Sequence, residues 1–169
     1  MEANSSFDET YELLFPLIYR FVSIRVPKPD VEDVTAEIIV KVWRGLPNME
    51  KKNALKSWAL TIATHRIADY YRTHKRTPVL NIEELPKPIP QESDQSDTWA
   101  TFLSVGEALA KLPTQQVSVI QLRLIEGFSA VEVAKILGIT NQAVDSLLYR
   151  AKNGFRKIYQ GNPDKGGRG

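Results

Sequence analysis

The chain has 169 residues, 43% of them hydrophobic and 25% charged, with a formal net charge of +2. Such a balance suits one globular domain or two small ones and excludes a disordered chain. The lack of Cys excludes disulfides, thiolate zinc sites and a Cys nucleophile; with no apolar run near the roughly 20 residues of a membrane span, and an acidic start, MEANSSFDE, without a signal core, a cytoplasmic protein with no membrane insertion is expected.

In chain order, Tyr11, Leu14, Phe15, Ile18, Phe21 and Val22 recur at spacings of three and four, one face of a helix, which Pro27 and Pro29 stop. Asp30 stands as the N-cap of a second helix, with Glu32 and Asp33 in its first turn; it runs to Arg44 before Gly45 and Pro47. A third helix begins near Leu55 or Ser57 and ends near His74, with Ala59, Ile62, Ala63, Ile67 and Tyr70 as its buried stripe. Residues 77–98 are rich in Pro and carboxylates and show no sustained period, so they read as a flexible acidic linker. Helical periodicity returns from Trp99 to Leu112 and restarts after Pro113 with Val117, Ile120, Leu122, Leu124 and Ile125. The tail after residue 160 has nothing to pack. The expected fold is all-α: a helical domain over 1–76, a linker over 77–98, a second helical domain over 99–160 and a disordered tail over 161–169.

The small net charge hides a segregation. Residues 1–48 hold five Lys or Arg against eight Asp or Glu, residues 49–76 seven against two, the linker one against five, and residues 141–169 six against two. Two basic patches separated by an acidic segment point to two contacts with a polyanion.

The segment SAVEVAKILGITNQAVDSLLYRAK breaks a good amphipathic helix at a corner. Ser129 and Glu132 have the spacing of a capping box, Gly138 supplies a conformation that only Gly adopts without strain, and Thr140 caps the next helix. Val133, Ala134, Leu137, Ile139, Val144, Leu148 and Ala151 then fall where two steeply crossed helices touch. This is a helix-turn-helix pattern, whose second helix is a ridge shaped for the major groove. At about 100° per residue, Gln142, Ser146, Tyr149, Arg150 and Asn153 share its outward side, with Asp145 at the edge. Gln suits adenine edges, Arg suits guanine or phosphate, and Tyr and Ser suit either.

The second helix carries a second stripe. Val31, Val34, Ile38 and Val42 face inward, while Ala36, Val40 and Trp43 lie roughly opposite, flanked by Asp33 and Glu37. An apolar patch rimmed by carboxylates reads as a protein docking surface or as a helix buried on both sides.

In order, these pieces resemble the extracytoplasmic-function (ECF) sigma factors, small promoter-specificity subunits of bacterial RNA polymerase, over about residues 7–158. DVEDVTAEIIVKVW is similar to the family's polymerase-binding helix, SWALTIATHRIADYYR to its helix for the minus-ten promoter element, and GFSAVEVAKILGITNQAVDSLLYRAK to its helix-turn-helix for the minus-thirty-five element. The resemblance implies a docking set of Asp33, Glu37, Val40, Lys41 and Trp43 for the clamp helices of core RNA polymerase. It implies minus-ten contacts from Lys51, Lys52, Asn53, Thr61, Thr64, His65, Arg72, Lys75 and Arg76, with the loop from Asn48 to Leu55 receiving a flipped-out base of the non-template strand. It implies minus-thirty-five contacts from Thr140, Asn141, Gln142, Asp145, Ser146, Tyr149, Arg150 and Lys152. An acidic linker running through the polymerase active-site and RNA-exit region, and an anti-sigma factor as regulator, follow from the same likeness.

Some positions depart from the family pattern. Ala36 stands where Gln is usual, Ile39 where Phe is usual, and Thr64-His65 where Arg-Asn is usual. Asp145 and Leu147 occupy recognition-helix positions that are commonly basic, which weakens attraction to phosphate. The rival reading is a free-standing helix-turn-helix regulator that binds operator DNA without polymerase. An enzyme finds no support, since no metal-ligand cluster, phosphate-cradling Gly loop or nucleophile motif occurs in the sequence, and no cofactor is expected.

Overall fold

The structure, a computed structural model, describes residues 2–49, 54–81 and 105–160, with side chains from residue 7 to residue 159. These residues form helices and turns without a strand and group into two compact units.

The first unit begins with α1, Glu2–Arg25, which starts well before the expected Tyr11. Leu14, Leu17, Ile18, Phe21, Val22 and Ile24 bury its inner face. Tyr11, expected inward, is instead 41% exposed. It belongs to a flank ladder in which Phe7, Tyr11, Phe15 and Tyr19 stack successively at centroid separations of 6.1, 5.2 and 5.6 Å. Rings four residues apart on a helix meet in this way and shield one another.

Pro27 follows the end of α1, and a 3-10 turn over Lys28–Asp30 leads into α2, Val31–Gly45. Val31, Val34, Ile38 and Val42 are buried as the pattern requires, with Thr35 among them. Asp30 holds the N-cap position but makes no side-chain cap. Its Oδ2 accepts a 2.5 Å hydrogen bond from the Tyr70 hydroxyl of α3, Leu55–His74. A long-range donor has displaced the local one, because Tyr70 is 2% exposed and a buried phenol needs a partner.

Three ties set the register of α2 against α3: Asp30 with Tyr70, Glu37 with Arg66, and Gly45 with Trp58. Positions rise along one helix as they fall along the other, so the two run antiparallel. At the last tie the Trp58 ring lies against the α2 backbone, since a Cβ on Gly45 would sit 2.7 Å from that ring. On α3, Ala59, Ala63, Ile67 and Tyr70 are buried, as are Leu60 and Tyr71. Ile62, expected in the stripe, is half-exposed, and Leu60 covers the core in its place.

The chain leaving α3 returns to α1. Tyr71 donates its hydroxyl to the Arg25 carbonyl. The Asn81 backbone N–H donates to Ile24 at 2.5 Å, and its side-chain amide to the Ser23 and Val26 carbonyls at 3.1 and 3.2 Å. These acceptors belong to the end of α1, whose last carbonyls lack intrahelical donors. Residues as far as Asn81 are thus fastened to the first unit, and the rest of the segment read as a linker, like the tail 161–169, lies outside the described residues.

The second unit holds α4 (105–110), α5 (Thr114–Ile120), the first part of α6 (Ala130–Leu137) and α7 (Asn141–Gln160). Leu109, Leu112, Val117, Val119, Leu122, Phe128, Val133, Val144 and Ala151 make its core. A π-helical turn, Gln121–Ile125, continues α5. Its wider winding breaks the phase of the apolar pattern, and Leu124 and Ile125 are 53% and 42% exposed.

Candidate docking and nucleic-acid interfaces

The corner between α6 and α7 is built by local chemistry. The Ser129 N–H donates to Glu132 Oε2 at 2.8 Å and the Glu132 N–H to Ser129 Oγ at 3.2 Å, a closed capping box. Gly138 turns the chain with φ +68°, and Ile139 donates back to the Ala134 carbonyl at 3.0 Å, the six-to-one bond of a Schellman ending. Thr140 Oγ1 then accepts from the Ala143 N–H at 3.0 Å and starts α7. Val133, Ala134, Val144 and Ala151 are buried at the crossing, with Leu137, Ile139 and Leu148 half-buried around them.

With that face inward, Thr140, Asn141, Gln142, Asp145, Ser146, Tyr149, Arg150 and Lys152 are all exposed. Tyr149 is 70% exposed. A ridge of amide, hydroxyl and guanidinium groups can donate to and accept from base edges and phosphates, and the Asp145 carboxylate on it only accepts.

On α3 the residues read for the minus-ten element differ in availability. His65, Arg72, Lys75 and Arg76 are exposed. Thr61 and Thr64 are half-buried, and their hydroxyls donate one turn back to the Ser57 and Leu60 carbonyls at 2.9 and 3.0 Å. Each hydroxyl therefore offers an outside partner an acceptor oxygen. Arg72 pairs with Asp69 on its own helix, and Lys75 ends the helix in the left-handed region at φ 51°. Lys51, Lys52 and Asn53 lie outside the described residues.

On α2 the outward face carries Asp33, Ala36, Glu37, Val40, Lys41 and Trp43, all exposed. Two of them have neighbours that the sequence did not announce. Trp43 meets Phe7 of α1 edge to face at 4.3 Å, on the wall of an apolar cleft that includes Tyr11, Ile39 and Leu46. The patch thus continues from α2 onto α1. Glu37 accepts a charge-assisted hydrogen bond from the Arg66 Nε–H of α3. Arg66 is a neighbour of the candidate site that the sequence reading missed. Its one sequence signal is its place on the flank of α3, between the buried stripe and the outer face.

Among the described residues no helix is long and apolar enough to cross a membrane. Residues 10–77 match the family described as Sigma-70 region 2, and residues 102–153 match Sigma-70, region 4. The chain is 30% identical to the RNA polymerase sigma factor SigV of Bacillus subtilis, the alignment covering 72% of this chain and 71% of SigV. It is 26% identical to the ECF RNA polymerase sigma factor BldN of Streptomyces coelicolor over 86% of this chain, and spans 57% of BldN's length. In fold it is similar to the sigma factor RpoE of Bartonella quintana, solved in complex with the anti-sigma factor NepR, with a TM-score of 0.67 at 22% identity over 92% of this chain and 97% of that one. Region 2 on the first helical unit and region 4 on the second, in the order that the three motifs require, make this chain a member of the ECF sigma factors of bacterial RNA polymerase.

Proposed function

We propose that this sigma factor docks on core polymerase through the outer face of α2, reads the minus-ten element with α3 and the loop before it, and reads the minus-thirty-five element with α7. One observation carries the reading: the inner faces of α2 and α7 are consumed by their own cores, which leaves an apolar patch rimmed by carboxylates on one helix and a polar ridge on the other. An acidic rim with Val40 and Trp43 at 46% and 45% exposure suits a basic, partly apolar helical partner. The α7 ridge suits a groove. Melting follows if a non-template base is trapped after flipping, whose cost of a few kcal/mol the pocket contacts offset. In this scheme 1–76 and 99–160 are the two working domains and 77–98 the acidic linker between them, and the protein works in the cytoplasm without bond chemistry of its own. RpoE's complex with NepR supports an anti-sigma factor as the regulator that covers these faces when transcription is to be held back.

The test is capture of the full chain on immobilised core polymerase. The wild-type chain is retained, and Asp33→Arg combined with Glu37→Arg abolishes retention while the helical circular dichroism persists. Retention of the folded double variant would remove the docking role from α2.

A further inference from the structure

The Glu37 carboxylate does not stand alone on the docking face, and its partner comes from the DNA-reading helix. Arg66 donates Nε–H to Glu37 Oε2, and the two side chains are 19% and 53% exposed respectively. The cation is the inner member and the carboxylate the outer one, so the pair presents its negative end to solvent. A carboxylate has about four lone-pair sites, and a single Nε–H leaves Oε1 free to accept from a second cation. Arg66 itself has little freedom, because its side chain is largely covered. A half-exposed Glu on a helix surface otherwise samples several rotamers and loses that freedom when a partner docks.

We infer that Arg66 is a positioning residue for polymerase docking: it holds the Glu37 carboxylate in the orientation that a basic partner meets, and so makes α3 a support of the α2 surface. The inference rests on the docking reading given above and deepens it. It predicts an effect of Arg66 that passes entirely through Glu37. The opposite effect, in which Arg66 neutralises Glu37 and hinders docking, is disfavoured because the covered cation lies behind the carboxylate.

A double-variant cycle on the full chain, read as affinity for core polymerase, tests this. Arg66→Gln weakens binding about three- to tenfold, the scale of one ordered, partly shielded ion pair. In a Glu37→Gln background the same change costs less than about twofold, because there is no carboxylate left to position. Arg66→Lys recovers part of the loss, since a cation remains without the planar Nε–H. Unchanged helicity and thermal midpoint in each variant separate positioning from folding. Tighter binding by Arg66→Gln, or an equal loss in both backgrounds, overturns the role. If Glu37→Gln weakens binding and Arg66→Gln does not, the docking reading stands and the role of Arg66 is lost. If Glu37→Gln has no effect, the docking surface has been misplaced and the role of Arg66 falls with it.

Discussion

Tyr70 shows how one side chain can bind two helices and record the bond in a titration. Burial, then its hydrogen bond to Asp30 and the charge of that carboxylate, push the Tyr70 phenol above its ordinary value of 10.0. Tyr71, buried beside it, is raised as well, chiefly by burial. The folded state thus keeps a proton that the unfolded chain releases, so this stability is complete below pH 10 and is lost as pH rises through the folded values. Tyr70→Phe should cost about 1 to 3 kcal/mol at neutral pH, since it leaves a partly buried carboxylate without its donor. It should also flatten the alkaline fall. Urea unfolding of both chains at neutral pH and above pH 10 checks the two claims, and equal alkaline slopes would mean that Tyr70 does not carry the titration. Ser129 with Glu132 and Thr140 with Ala143 were legible because capping partners lie three residues apart. Tyr70 is 40 residues from Asp30, and Arg66 is 29 from Glu37. No local spacing announces such partners, and Asp30 was accordingly given a capping bond that it does not make.

Among the elements, the corner between α6 and α7 concentrates its conformational demands on two residues. Gly138→Ala forces a side chain into the left-handed region and should cost about 1 to 2 kcal/mol, and Thr140→Ala removes a cap worth about 1 kcal/mol. Hydrogen exchange of the full chain should show both losses in the amides of α6 and α7, with those of α1 to α3 unchanged. Protection lost evenly along the chain would contradict local control of the corner. The helices themselves could be read from periodicity, since α2 and α3 bury the faces it assigns, apart from Ile62. Periodicity states which residues share a face and leaves open what covers it. Tyr11 and Phe15 were therefore placed inward although they stack along a flank, and the π-helical turn that exposes Leu124 and Ile125 left no mark in the periodicity.

At the scale of the whole molecule, charge is divided between tasks: the N-terminal 48 residues are acidic where docking is proposed, and residues 141–169 are basic where DNA is proposed. Asp145, exposed on the α7 ridge, runs against this division. In the polymerase-bound state Asp145→Lys should strengthen promoter binding for most upstream sequences and steepen the salt dependence by roughly one unit, since one added cation displaces about one counterion. Salt titrations on promoters varied one upstream base pair at a time measure both. Weaker binding confined to one base pair would instead mark Asp145 as a reader of cytosine, and no change anywhere would take this face of α7 off the DNA. The family and the order of its parts were legible because three motifs each keep their own spacing. The path of the chain to Asn81 was not, since a tether to the end of α1 leaves no periodic trace.

The three ties between α2 and α3 also limit how the first unit can vary. Outer-face residues such as Ala36 and His65 can be exchanged without touching a tie, which leaves room for new promoters and new regulators. Length is another matter. One residue inserted between Glu37 and Gly45 turns all that follows by about 100°, so Glu37 and Gly45 cannot both stay opposite Arg66 and Trp58 unless α3 gains a residue at the matching level. Gains and losses of sequence are therefore confined to the segments between the helices, and an α2 taken from another chain would bring its outer face into place only when transplanted together with its own α3.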